Sequence, residues 1–240
     1  MNVKGNHYMK VRDSGMPDEE MWSGFFDPGK VLDVLGLDRG IQDLVEFGCG
    51  YGTFTLAAAG ISSGTVHALD IEPEMVSVVE QKCGEAGITN VKATVRDFVA
   101  EGAGLVDNSM DAALLFNILH HEEPVTLMKE ACRVLKPNGV LAVIHWNYDP
   151  TTPRGPAMDI RPRPEQCIEW GKEAGFRFNE RDRYDLPPYH YGLLFRKPVT
   201  DSQGDIDVTT GNRFHPIEIL INQTGRRRHD RPLSRGGCCL

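Results

Sequence analysis

The chain lacks any apolar run approaching the roughly 18–20 residues that cross a bilayer, and its first residues, Met1-Asn2-Val3-Lys4-Gly5-Asn6-His7, lack the apolar centre of a signal peptide. These absences lead to the expectation of a cytoplasmic protein with no membrane span. Basic charge is also short: 26 Lys and Arg stand against 34 Asp and Glu, a formal charge of −8. Nucleic-acid phosphates are held by a basic face, so a nucleic-acid partner is not expected. Of the six cysteines none falls in a C-x-x-C pair, and separate reduced thiols are expected rather than disulfides or a thiolate metal site. The run His120-His121-Glu122-Glu123 does not restore a metal site, because adjacent residues do not converge on one ion as i, i+4 histidines do. Acids followed by Pro124 instead suit the start of a helix. At 240 residues the chain is long enough for one α/β core and short for two ordinary domains.

What the chain does have is the segment Val45-Glu46-Phe47-Gly48-Cys49-Gly50-Tyr51-Gly52-Thr53, which closes a short apolar strand and opens a helix. Glycines at alternate positions let the backbone turn sharply and approach a ligand closely, and the free N–H groups of the following helix face whatever occupies the turn. About 20 residues on, Leu69-Asp70 ends the next strand, where a carboxylate reaches the hydroxyl pair of a ribose in a doubly wound sheet. Dinucleotide sites use G-x-G-x-x-G, whereas the spacing here is G-x-G-x-G with Glu46 before it.

Glu46 to Gly52 and Asp70-Ile71-Glu72-Pro73-Glu74-Met75 resemble the first two motifs of class I S-adenosylmethionine-dependent methyltransferases. Val95-Arg96-Asp97-Phe98 resembles the third and Asp111 to His121 the fourth, while Arg133-Val134-Leu135-Lys136-Pro137-Asn138-Gly139 is similar to the turn into the fifth strand. The subgroup most resembled is the ubiquinone/menaquinone-biosynthesis type, type 11. The resemblance implies S-adenosyl-L-methionine as cofactor and methyl transfer to a small-molecule acceptor by in-line displacement. It implies cofactor contacts from Glu46 (the ammonium group), Gly48, Gly50 and Gly52 (the methionine portion) and Asp70 (both ribose hydroxyls). It further implies Ile71 on an adenine face, Asp97 and Phe98 at the adenine edge, and Asn117 beside the sulfonium. Asp97 has a second reading, as the cap of the helix after it. Two rival functions keep part of the pattern: a non-catalytic S-adenosylmethionine-binding partner or sensor, and a nicotinamide oxidoreductase, which the glycine spacing disfavours.

The hydropathy pattern predicts an α/β fold with a parallel sheet covered on both faces, and the resemblance implies that it is a Rossmann-like, doubly wound, mostly parallel seven-stranded sheet with an antiparallel last strand. Strands are expected near 43–47, 65–70, 91–95, 111–116 and 139–146, with helices near 53–60, 73–87, 98–103 and 123–136. A helix over 164–174 and two further strands, from Gly175 and over Tyr189–Lys197, complete the domain. The division expected is an N-terminal helical cap or lid over 1–40, the methyltransferase domain over 41–198, and a polar appendage over 199–240. Trp22, Phe25 and Phe26 are candidates to cover the cleft. Pro150, Pro153, Pro156 and Pro162 interrupt 147–163 and predict a long loop at the carboxyl end of the fifth strand, where ligands bind in such sheets.

A sulfonium brings its own leaving group, so the chemistry needs no covalent protein nucleophile. A general base is called for only if the acceptor carries a proton, and histidine suits that work near neutrality. His121, His145 and Tyr148 are the candidate catalytic residues. Arg154 and Arg161 on the long loop are candidates to bind an acceptor carboxylate or phosphate, with Trp146 lining the same cleft.

Overall fold

The computed structural model describes residues 19–199. The expectation of a C-terminal appendage from 200 onward and the first 18 residues of the expected cap lie outside them. The described chain begins with two short helices, α1 (Glu19–Ser23) and α2 (Pro28–Val34), and then alternates strand and helix. The strands are β1 (Leu44–Phe47), β2 (Val66–Asp70), β3 (Val91–Val95), β4 (Met110–Phe116), β5 (Leu135–Trp146), β6 (Arg177–Leu186) and β7 (His190–Arg196). Between them run α3 (Thr53–Ile61), α4 (Pro73–Ala86), α5 (Pro124–Val134) and α6 (Pro164–Glu173).

Proline marks the start of four of these helices, Pro28, Pro73, Pro124 and Pro164. Its fixed φ is already helical, and the N–H it lacks has no partner in a first turn. Asp27 caps α2 by accepting from the Lys30 amide at 3.1 Å, and Gly87 ends α4 in the left-handed conformation with φ 67°.

The strands form one seven-stranded sheet in the order β3-β2-β1-β4-β5-β7-β6. All neighbours are parallel except those of β7, which runs antiparallel to both β5 and β6. The strand last in the chain is therefore inserted beside β5, and β6 takes the sheet edge. Arg177, Glu180, Arg181 and Arg183 on β6 are exposed, and such charges blunt an edge against pairing with another chain.

Alternation along the central strands divides the core into two layers, as the period of two requires. Val45, Phe47, Ala113, Leu115, Leu141 and Val143 pack on one face with Leu127, Met128, Ala131 and Val134 of α5 and Cys167 and Ile168 of α6. Leu44, Ala112, Leu114, Phe116, Ala142 and Ile144 face the other way, against Leu32, Leu35, Phe54 and Ala58. The order of strands reverses at β1, which pairs with β2 on one side and β4 on the other. This is the switch point that opens a crevice at the carboxyl ends of the strands.

Two local expectations change. Residues 98–103 form turns rather than a helix, because Gly102 and Gly104 adopt left-handed φ values of 67° and 70° and stop propagation after one turn. β5 begins at Leu135, directly from α5, rather than at 139. Met110 pairs with Leu135 before the register shifts and resumes at Ala112 and Val140, and left-handed Asn138 lies in that shift.

Candidate active site

The crevice is lined on its first side mainly by backbone. After β1 the chain turns through Gly48, Gly50 and Gly52, with φ of 77°, 49° and 78°. The Gly48 and Cys49 amides both donate to the Leu69 carbonyl, at 2.8 and 3.0 Å, and the Gly50 amide donates to Asp70 Oδ2 at 2.8 Å. The loop is thus strapped to the end of β2. A side chain at Gly52 would place its Cβ 2.8 Å from Leu56 and 3.0 Å from Val79. That glycine is required by the packing of the loop on α3 and α4 as well as by its φ.

Asp70 is 7% exposed, and its Oδ1 accepts from the Glu72 amide at 3.0 Å. Each carboxylate oxygen keeps a second acceptor site, so the pair of oxygens is fixed in place with capacity left for two hydroxyl donors. Burial pushes the Asp70 pKa up, against the pull of these backbone donors. Glu46, 2% exposed on β1, accepts from the Thr55 hydroxyl of α3. Burial raises its pKa to about 8, the Thr55 bond lowers it, and the charge of Asp70 raises it further. A buried carboxyl beside an amide-lined loop is a site that an ammonium group would complete. Burial pushes the Cys49 thiol up as well, so the cysteine inside the loop is not a nucleophile.

Asn117, at the carboxyl end of β4, has φ 55°, and its amide donates to the Ile144 carbonyl at 2.7 Å. Both polar atoms of its side chain are buried without a hydrogen-bond partner. Such groups are costly unless something else satisfies them, and a non-glycine residue held left-handed is a form of strain that accumulates at functional sites. Ile71 and Asp97 follow the ends of β2 and β3. Asp97 Oδ1 accepts from the Ala100 amide at 3.0 Å, so it does cap the turn after it. Phe98 is buried with its ring edge-on to Phe47 at 5.4 Å.

The second side of the crevice is built from side chains. Trp146 at the end of β5 meets His190 at a ring separation of 4.2 Å, Phe25 at 5.1 Å and Tyr189 at 6.3 Å. Phe26 lies 4.5 Å from His190 and 5.1 Å from Trp22. Helix α1 is tied at its other end to the glycine loop: Glu19 pairs with Lys82, and Lys82 donates to the Tyr51 carbonyl at 2.7 Å.

The three candidate bases are not brought together. His121 Nδ1 accepts from the Glu123 amide at 3.0 Å, in the turn that leads into α5. Tyr148 is at the surface with the Arg163 guanidinium 3.6 Å over its ring. His145 is wholly buried, and desolvation holds its pKa well below the ordinary value. Arg161 is corrected from acceptor binding to loop support. Its guanidinium donates to the carbonyls of Asn147, Asp149, Arg154 and Pro156 and to the Thr152 hydroxyl. Every N–H is directed at the loop, leaving none for a ligand. Arg154 is exposed on that loop.

His120 was not among the candidates. His120 Nδ1 lies 3.4 Å from His145 Nε2, and His190 buries an unpartnered Nε2. The signal available in sequence was register: once the last strand pairs with β5, His145 faces Tyr191 and Trp146 faces His190.

This sheet order, with an alternate-glycine turn after β1 and an acid ending β2, defines the class I S-adenosylmethionine-dependent methyltransferase fold. Residues 45–143 match the family described as Methyltransferase domain, and this match supports the class I, type 11 resemblance. S-adenosylmethionine is the cofactor of the class. The chain is 33% identical over 110 residues to a methyltransferase-like protein of Schizosaccharomyces pombe, covering 46% of this chain and 40% of that one. It is 34% identical over 94 residues to demethylmenaquinone methyltransferase of Geobacillus, covering 38% and 39%. A crystal structure of an S-adenosylmethionine-dependent methyltransferase from Aquifex aeolicus superposes with a TM-score of 0.65 at 26% identity, covering 75% of this chain and 93% of that one. The chain spans about two fifths of the length of these curated relatives. No helix among the described residues is long and apolar enough to cross a membrane.

Proposed function

We propose that the protein transfers the methyl group of S-adenosylmethionine to a small-molecule acceptor. The observation that carries the reading is the Asp70 carboxylate, held 2.8 Å from the Gly50 amide at the lip of a left-handed glycine turn. The cofactor supplies an electrophilic methyl on a sulfonium. The residues present fit it: Asp70 offers acceptors to a ribose diol, Glu46 offers an anionic partner to an ammonium, and the unsatisfied amide of Asn117 is available between them and the β5 side. Ile71, Asp97 and Phe98 extend the same rim toward the adenine. Gly48 and Gly50 admit the methionine portion because no side chain intervenes.

The acceptor is held on the β5–β7 side, against Trp146 and beneath α1, with Arg154 at the rim. Enclosing that space excludes water and fixes the acceptor in line with the carbon–sulfur bond, which is most of what this reaction requires of a protein. Residues 1–40 serve as the lid and 41–198 as the catalytic domain, and the protein works in the cytoplasm. Thermal unfolding with S-adenosylhomocysteine, with NADH and with neither tests the reading. A ligand at a hundredfold its dissociation constant adds about 2.7 kcal/mol, so stabilisation by S-adenosylhomocysteine alone supports it. Stabilisation by NADH alone sinks it. Release of labelled methyl into a small-molecule fraction then separates an enzyme from a sensor.

A further inference from the structure

The 117–121 segment carries a group that the cofactor contacts leave unused. It lies directly against the glycine turn, since a Cβ at Gly48 would come within 3.1 Å of Ile118 Cδ1. Two residues beyond Ile118, His120 points Nδ1 at Nε2 of buried His145, 3.4 Å away, with the rings edge to face. Catalytic hydrogen bonds are commonly long before ligand binds. The His120 ring is only partly buried, so Nε2, on the far side of the imidazole from His145, is the nitrogen left for a ligand.

We propose that His120 is the general base of the site, taking the proton of a hydroxyl acceptor at Nε2, and that His145 is a positioning residue that fixes its tautomer. This rests on the methyl-transfer reading. Only one of the two facing nitrogens can carry the shared proton. If it is on His120 Nδ1, then His120 Nε2 presents a lone pair; if it is on His145 Nε2, it does not. A proton on His145 Nδ1 leaves its Nε2 as the acceptor, which selects the active tautomer of His120.

The step balances as follows in atoms and charge. The acceptor oxygen forms a bond to the methyl carbon, the carbon–sulfur pair stays with sulfur as a neutral thioether, and the hydroxyl proton passes to His120 Nε2. The positive charge of the sulfonium ends on the imidazolium, which loses its proton to water when the site opens. Burial, His121 and Arg161 lower the His120 pKa to about 4, so the ring is neutral and ready at pH 7. Oxygen is the acceptor atom that calls for a base: a methylated oxygen that keeps its proton is an oxonium, a strong acid, whereas a methylated amine can keep its proton as an ordinary ammonium.

The test is 15N NMR of the histidine rings in the full chain with S-adenosylhomocysteine bound. His120 is expected as the Nδ1–H tautomer, and a proton found on Nε2 overturns the proposal. In His145→Phe, which keeps an aromatic ring but removes the acceptor, the His120 signal should move toward the Nε2–H form that free imidazole side chains prefer. An unchanged tautomer denies the positioning role. Phenol at millimolar concentration should shift His120 Nε2 where methylamine does not, and the reverse order overturns the acceptor class. Diethyl pyrocarbonate on the wild-type protein gives a reading independent of any variant: label on His120 supports an open Nε2 and its absence denies it. His120→Gln should bind S-adenosylhomocysteine as the parent does. Loss of that binding from the parent itself is the separate result that removes the methyl-transfer reading.

Discussion

The two sides of the crevice are made of different material. On the β1–β2 side the ligand-facing surface is amide groups and two acids, and its shape follows from left-handed glycines strapped to the neighbouring strand. On the β5–β7 side it is aromatic and imidazole side chains drawn from α1, the segment after β4, the end of β5 and the start of β7. A backbone surface recognises what every member of the class shares, because it has few side chains to vary. A side-chain surface can change its chemistry without disturbing the sheet, and it is the side to which the proposed function assigns the acceptor. The contrast can be broken from either side.

The largest expected effect is in pH. Glu46 is raised from 4.5 to about 8 in the folded protein, so between those values the native state holds a proton that the unfolded chain releases. Its contribution is present below about pH 4.5 and is lost as pH rises toward 8, roughly 4–5 kcal/mol across the window. Urea unfolding from pH 5 to 8 should show the decline, and Glu46→Gln should flatten it. An ammonium placed beside the carboxyl favours its ionised form, so S-adenosylhomocysteine binding should release a proton in this range. Calorimetry in buffers of different ionisation enthalpy detects that release.

Next is Asp70→Ala, which removes two charge-assisted acceptors and should weaken S-adenosylhomocysteine binding by about 100-fold or 3 kcal/mol while the chain stays folded. Parent-like affinity in titration calorimetry would remove Asp70 from the ribose. Gly52→Ala, by contrast, acts on the fold: strain at φ 78° and crowding against Leu56 and Val79 should cost about 2 kcal/mol and lower Tm by about 4–8 °C.

On the other side, Arg161→Met removes the hydrogen bonds that hold 147–163. It should expose that loop to limited proteolysis and lower Tm by a few degrees, on the order of 1–2 kcal/mol, with S-adenosylhomocysteine affinity unchanged. The smallest effect is Glu19→Ala. A surface pair contributes about 0–1 kcal/mol, so stability should hardly move, whereas Trp22 fluorescence quenching by acrylamide should increase if α1 is held over the crevice by this contact. Equal quenching would show that its aromatic residues alone hold it.

How much was legible in advance follows the same division. The glycine turn, Asp70 and the strand–helix rhythm were readable because each depends on local chemistry: φ > 0, a strand end, a period of two or 3.6. The expected helix at 98–103 failed because Gly102 and Gly104 end propagation after one turn, a matter of two residues within an otherwise suitable pattern. Arg161 was misread for a different reason. Its residue type suits an acceptor anion, and nothing local reveals that Asn147, Asp149, Arg154 and Pro156 turn their carbonyls toward it.

The amino-acid sequence by itself determined the strand–helix alternation, the glycine turn with Asp70 beyond it and the proline-opened helices, since short-range sterics and periodicity suffice for these. Only the tertiary structure decided the β5–β7 side of the crevice. His120 meets His145 across 25 residues of sequence, and Trp146 meets His190 only because β7 inserts antiparallel beside β5. Contacts between strands distant in sequence depend on register and strand order, and these are settled by burying both faces of the sheet at once.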